Sequence, residues 1–235
     1  MSLLTDIEIK EAMERGDISI ENFDTEKCLQ PASYDMRVGK RAILSRSVTL
    51  DEFKTKVAEQ EAKEIDLEKE GSVTIPAGAF CLITTLEKIT LSRRYAGHIG
   101  IRSYYTRKGL SLLSGLQIDP GFSGVLVLGF CNLSPRSFTI EYEDPICTIE
   151  IHKLSRDVEK SYPESRFAEQ KQGKIPLPDK DYLRTIETMS ISDMTKAILM
   201  LSQNVSELGT DIKNLKFWIP LVTGIIVAIL LWAIK

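Results

Sequence analysis

Histidine and paired cysteine are nearly missing from this chain. Two histidines, His98 and His152, and four cysteines are spread over 235 residues. The cysteines, Cys28, Cys81, Cys131 and Cys147, form no CxxC pair, and neither histidine lies near a cysteine pair. A zinc site built from sequence-local ligands needs such spacing. A zinc-type deaminase or zinc hydrolase is therefore excluded on ligand supply, and both histidines read as surface or core residues rather than as ligands. The cysteines sit mostly in apolar, strand-like sequence, the pattern of reduced, buried thiols in a cytosolic domain. An excess of one charge is missing too: 30 Lys and Arg stand against 33 Asp and Glu, a formal net charge of −3. No global basic field exists to hold a nucleic acid. The first nine residues lack a charged start followed by a long apolar run, so no signal peptide is expected.

What is present suffices for one core of about 150 to 180 residues and an appendage. Residues 5–15 read as a short amphipathic helix with Thr5 as N-cap, Gly16 as stop, and Ile7 and Met13 facing inward. A short strand follows at 18–20, then a loop over 22–30. In QPASYDMRVG, at 30–39, Tyr34, Met36 and Val38 alternate with Asp35, Arg37 and Gly39, the pattern of a half-buried strand. Extended chain continues over 41–50. Residues 51–70 are highly charged and read as a solvated excursion, helical over 52–63 through Glu–Lys pairing. Strands are predicted at 72–75, 80–85, 87–91, 95–101, 125–131, 138–142 and 146–152, with Pro- and Gly-containing turns between them. Many short strands with such turns indicate a barrel or sandwich. Residues 156–178 are too polar for a core and read as a linker or a ligand-ordered lid.

Beyond that lie two helical signals. Ile191, Met194, Ile198, Leu201, Val205, Leu208, Ile212 and Leu215 recur at alternating spacings of three and four. This is a heptad seam with β-branched residues at every a position and Leu or Met at every d, the mark of a parallel coiled coil over 191–216. FWIPLVTGIIVAILLWAI, at 217–234, carries no charge and at about 1.5 Å per residue nearly spans a bilayer core of about 30 Å. The chain's two tryptophans, Trp218 and Trp232, lie near its ends, where amphipathic rings favour the interface. Pro220 falls in the first turn, where a missing N–H costs little. The run reads as a single-pass C-terminal membrane anchor, with Lys213 and Lys216 keeping the bulk of the chain cytoplasmic.

The functional signal lies between Gly100 and Phe130. Arg102, Ser103 and Arg107 put two cations and a hydroxyl on one short segment, and IDPGFSG at 118–124 makes a turn that feeds an apolar strand. Together with QPASYD at 30–35 and SVTIPAGAFCLITTLEKITLS at 72–92, these stretches resemble the dCTP deaminases of the dUTPase-like superfamily over about residues 1–175. RSYYTR at 102–107 is similar to that family's RSSLAR triphosphate-binding run, and IDPGFSG to its IDPG-aromatic-x-G turn. The resemblance implies a mainly β fold, a distorted jelly-roll barrel over 1–155 assembled as a trimer with active sites between subunits, then a lid or linker over 156–190.

The resemblance also implies site roles. Ser103 and Arg107 would bind the triphosphate, Arg102 would reach a site across a subunit boundary, and Asp119 would hold the deoxyribose 3′-hydroxyl region. The backbone of Val127 and Leu128 would read the pyrimidine edge, with Tyr162, Arg166 and Gln170 as covering lid. Magnesium would arrive on the nucleotide. The family's catalytic glutamate lies in a VLEF-like strand and moves protons between water and C4 of cytosine. Here that strand reads VLGF, with Gly129 at the glutamate's place, and glycine cannot transfer a proton.

Two classes of function stay open. One is a membrane-tethered enzyme: either a deaminase acting through water without a protein-bound metal, or a dUTP pyrophosphatase in which Asp119 activates water. The lack of a terminal glycine-rich arm weighs against the second form. The other is a non-catalytic nucleotide sensor or scaffold at the membrane. If Gly129 is the sole defect, Gly129→Glu is expected to create deamination. The seam leans to two chains and the barrel to three; the larger barrel interface favours three. Native mass measurement is expected to give a trimer with or without residues 190–216, and a dimer that falls to monomer on their removal would assign assembly to the seam instead.

Overall fold

The computed structural model describes residues 1–47, 64–162, 173–185, 187–188 and 191–233. The predicted helix over 52–63 lies outside the described residues. The chain divides into two compact units, Met1–Ile191 and Ser192–Lys235.

The first unit is mainly β. It runs β1 (Ser2–Leu3), α1 (Asp6–Glu14), β2 (Ile18–Ile20), β3 (Leu29–Gln30), β4 (Ser33–Leu44), β5 (Arg46–Ser47), β6 (Glu64–Asp66), α2 (Leu67–Glu70), β7 (Ser72–Ile75) and β8 (Phe80–Leu91). There follow β9 (Tyr95–Ile101), α3 (Ser103–Thr106), β10 (Leu110–Leu112), β11 (Gln117–Ile118), β12 (Ser123–Asn132), β13 (Phe138–Glu141), β14 (Pro145–Lys153), α4 (Leu177–Thr185) and β15 (Glu187–Thr188). An 11-stranded sheet has the path β10-β12-β8-β4-β14-β9-β11, with β7 and β13 forming a separate antiparallel pair.

The connection from β10 to β11 dictates the sheet's shape. These strands stand at opposite ends of the path, yet only residues 113–116 separate them in sequence. A flat path of that many strands would hold its ends apart by about 29 Å, while such a link reaches at most roughly 18 Å. The sheet must therefore curl, and it forms a half-barrel around one apolar core that includes Tyr34, Met36, Ile83, Ile89, Leu128, Phe130 and Ile149.

Local chemistry accounts for most elements. Thr5 caps α1 in a capping box: the Glu8 N–H donates to Thr5 Oγ1, and the Thr5 N–H donates to Glu8 Oε2. The inward face is Ile9 and Ala12, with Met13 packed against the core, whereas Ile7 is exposed. The expectation for Ile7 fails because a helix of this length offers one narrow stripe to the sheet, and Ile7 falls off it. The strands predicted at 80–85 and 87–91 are one strand, β8. The half-buried alternation expected for 30–39 also fails, since Asp35 is buried and Arg37 is almost so. Their face is covered, and each finds an ionic partner.

Arg37 carries that cost for β4. Its Nε donates to Glu87 Oε1 at 2.7 Å and its N–H to Glu87 Oε2 at 2.8 Å. Glu87 is fully buried, and burial raises its pKa against the opposing pull of Arg37. At this place the β4–β8 ladder shifts register, between Val38 and Ala42. Gly39 makes the shift possible, because a Cβ there would stand 2.3 Å from the Thr85 carbonyl oxygen. All four cysteines are free thiols, as the sequence led us to expect, and burial raises the pKa of each.

The second half of the predicted linker does contribute to a core. Ile175 and Leu183 are fully buried and pack with Ile43 against Phe80, Leu82 and Val127. The polar composition of 156–178 hid Ile175, and Leu183 lies just beyond that stretch.

The second unit consists of helix α5, which spans Ile191–Ala233 and begins one residue before it. The seam and the apolar run thus share one continuous helix, and Pro220 lies inside it rather than in a first turn. Met194, Ile198, Leu201, Val205, Leu208, Ile212 and Leu215 are exposed in the single chain. Among the described residues no helix is long and apolar enough to cross a membrane. The side chains of 228 and 231–234, which belong to the apolar run, are outside that statement.

Arg37→Ala is expected to cost about 3–5 kcal/mol of folding stability by stranding a buried charge. The sign with pH follows from linkage. A carboxyl whose folded pKa is raised contributes stability below its unfolded pKa and loses it as pH rises through the folded value. The penalty should therefore be smaller at pH 5 than at pH 8 in urea unfolding, as Glu87 takes up a proton, and an equal penalty at both would contradict this.

Candidate functional site

β12 has an irregular ladder, and that irregularity shapes the site. Its pairing with β8 shifts between Val125 and Val127. The freed N–H of Leu126 donates to Thr85 Oγ1 at 2.9 Å, and that hydroxyl donates to the Glu87 carbonyl at 2.9 Å. A side chain thus substitutes for a ladder bond at the bulge. The bulge lets Leu126, Val127 and Leu128 all border a cavity of about 360 Å³. Asp119, Gln117, Ser114, Phe122 and Tyr162 close its other sides.

The turn at 118–124 is built as its sequence suggests. Gly121 has φ +85°, a left-handed conformation that suits glycine. A Cβ there would also collide with Ser161, so the chain entering the lid region lies directly on the turn. The Tyr162 N–H donates to the Pro120 carbonyl at 2.9 Å, and the Tyr162 ring meets Phe122 edge-on with centroids 5.5 Å apart. Inside the cavity Gln117 Nε2 donates to Asp119 Oδ1 at 2.7 Å, which fixes the orientation of the carboxylate. Asp119 is the one carboxylate among the described residues that line this cavity.

Of the residues nominated from sequence, Asp119, Val127, Leu128 and Tyr162 come together here. Arg102, Ser103 and Arg107 do not line this cavity. Arg102 bridges from Nε to Asp35 Oδ2 at 3.2 Å and donates from Nη1 to the Pro145 carbonyl. Burial raises the pKa of Asp35, and Arg102 opposes that rise. Arg107 donates to Ser103 Oγ at 3.0 Å across the single turn of α3, with both residues exposed. Arg166 and Gln170 lie outside the described residues.

Gly129 departs most from expectation. It is not part of the cavity lining. Its N–H donates to Ser114 Oγ at 2.6 Å. A Cβ at 129 would stand 2.9 Å from Cζ of Phe80 and 3.5 Å from Cδ2 of Leu82. The Phe80 ring fills the space that a side chain at 129 would need. Phe80 pairs with Cys131 in the ladder, two residues along the same face, so the ring lies diagonally across the glycine. A side chain at 129 requires the Phe80 ring to shift, so Gly129→Glu tests the glycine as sole defect only together with that movement. Sequence reasoning missed Phe80, Gln117 and Ser114. Gln117 was recoverable, since on a strand it shares a face with Asp119, but Phe80 needed the register.

A model of the dCTP deaminase-like family matches residues 3–154. The dCTP deaminase of Thermococcus sibiricus is 36% identical over 148 residues, covering 63% of this chain and 83% of that protein. A dUMP-forming dCTP deaminase of Corynebacterium glutamicum is 30% identical over 184 residues, covering 77% and 97%. Among solved structures, the 2′-deoxycytidine 5′-triphosphate deaminase of Agrobacterium tumefaciens aligns with a TM-score of 0.49 at 17% identity, over 64% of this chain and 47% of that one.

Gly129→Ala should destabilise the fold by about 1–3 kcal/mol through overpacking against Phe80. In a double-mutant cycle with Phe80→Ala the two losses should be strongly non-additive, since the smaller residue vacates the space. Additive losses in urea unfolding would place the strain elsewhere.

Proposed function

The chain belongs to the dCTP deaminase-like family, and on that footing we propose that it binds a pyrimidine deoxynucleoside triphosphate at a membrane-tethered homotrimer without deaminating it. The observation that carries this reading is the Phe80 ring in the space beside Gly129. Hydrolytic deamination at C4 needs a group that takes a proton from water and returns it to the leaving amine. Gly129 has no side chain, and the neighbouring volume is already packed. Asp119, the cavity's carboxylate, is held by Gln117 at the turn.

Binding uses parts that remain intact. The cavity's apolar walls suit a base and sugar. The Asp119 carboxylate accepts from the 3′-hydroxyl region, and the backbone at Val127 and Leu128 reads the pyrimidine edge. Tyr162, already latched to Pro120, closes one side, with Arg166 and Gln170 completing the cover. The phosphates take Ser103 and Arg107, with Arg102 reaching across from a neighbouring subunit and magnesium arriving as part of the nucleotide. Arg102 does not line the cavity of its own chain, so its reach into a site calls for a second copy. That is the reason to favour an oligomer. Three barrels bring three exposed helices together at their seams, and the uncharged run at 217–234 anchors them with the barrels on the cytoplasmic side. The seam residues are exposed in the single chain, and association would cover them.

A second reading keeps catalysis. Asp119, oriented by its bond from Gln117, activates water against the α-phosphorus of dUTP, releasing pyrophosphate. Calorimetry of the full chain with magnesium and dCTP, dUTP or dTTP is expected to show binding, with no ammonia released from dCTP and no pyrophosphate from dUTP. Ammonia would overturn the non-catalytic reading, pyrophosphate lost in Asp119→Asn would establish the second one, and no heat at millimolar nucleotide would overturn nucleotide binding altogether. The chain should float with phospholipid vesicles, and a chain ending at residue 216 should not.

A further inference from the structure

The chain's two histidines meet. His98 lies on β9, and His152 and Glu150 lie on β14. The register sets Glu150 directly opposite His98 and His152 opposite Ala96. Directly paired residues share a face, and so do residues two apart on one strand. All three side chains therefore rise from one face of the sheet. The imidazole centroids are 4.7 Å apart with the planes tilted by 53°. One donor atom from each of the three residues lies within 4.8 Å of the other two.

Nε2 of His152 is buried and has no hydrogen-bond partner among the described residues. The closest carboxylate oxygen, Glu150 Oε2, stands 3.6 Å away, beyond hydrogen-bond range. A ring nitrogen withdrawn from water normally finds a partner, because leaving it unmatched is costly. This one instead faces a carboxylate and a second imidazole across a gap, with none of the three touching the nucleotide cavity.

We propose that His98, His152 and Glu150 bind one divalent transition-metal ion of the zinc class, at a site separate from the nucleotide cavity. Two neutral imidazoles and a carboxylate make a borderline-soft set that suits Zn²⁺, Co²⁺, Ni²⁺ or Cu²⁺ better than Mg²⁺ or Ca²⁺. Metal–ligand distances of about 2.0–2.2 Å bring tetrahedral donors to about 3.4 Å of one another, so the present spread must close by somewhat over an ångström. Glu150 Oε2 already stands 3.6 Å from His152 Nε2, so the closure falls mainly to His98, whose ring is half-buried and can turn toward the other two. Three protein ligands leave a fourth position for water. The ion would clip β9 to β14 beside β11, where Gln117 pairs with His98 in the ladder. The sequence argument against zinc rested on ligands close together in the chain, whereas this set is assembled only by strand pairing.

The test uses the untagged full chain, stripped with chelator and titrated with Co²⁺ and Zn²⁺. One Co²⁺ per chain with visible d–d absorption is expected, displaced by Zn²⁺ and not by Mg²⁺. His98→Ala and His152→Ala should each weaken binding at least tenfold, and Glu150→Gln roughly tenfold. If the histidine variants fail to fold, carbethoxylation of the unaltered chain decides. The chain has only these two histidines, and Zn²⁺ should protect both from diethyl pyrocarbonate. Absence of d–d bands, affinity indifferent to His98→Ala in a folded variant, or equal modification with and without Zn²⁺ would each overturn the site.

Discussion

The buried pair between Arg37 and Glu87 is the constraint on which the rest of this architecture depends. A fully enclosed carboxylate is tolerable only with a well-aligned partner, and Arg37 meets both of its oxygens. That contact locks β4 to β8 where their ladder slips and where Gly39 lets the two backbones touch. Thr85, two residues from Glu87, then accepts the Leu126 N–H with its hydroxyl on the other side of β8. The slip on one flank of β8 is thereby linked to the bulge on the opposite flank, and the bulge brings three successive residues of β12 to the cavity wall. A single ionic contact in the core thus sets the shape of a site whose lining includes neither partner.

Packing beside that site is tight at Gly129, where a Cβ would stand 2.9 Å from the Phe80 ring. Phe80 is itself backed by Ile43, Ile175 and Leu183. The segment that contains Ile175 and Leu183 thus supports the ring that lies beside Gly129. This is a packed solution and not a vacancy. The cavity near Asp119, by contrast, retains its turn, its glycine and its latched tyrosine.

Much of this was legible in residue order. The N-cap at Thr5, the strand pattern, the IDPGFSG turn and the free thiols are local signals, each set by chemistry within a few residues. Tertiary structure alone decided the others. It moved Ile7 outward, buried Asp35 and Arg37 on a face that alternation had assigned to solvent, and gave Ile175 and Leu183 a core to join. It separated Arg102, Ser103 and Arg107 from the cavity containing Asp119, and it put Phe80 against Gly129. Most consequentially, it brought His98 to His152 and Glu150. The physical reason is common to all of these. Period and propensity are read along the chain, where neighbours are known, whereas burial, ion pairing and ligand geometry depend on which strand lies across the ladder and in what register.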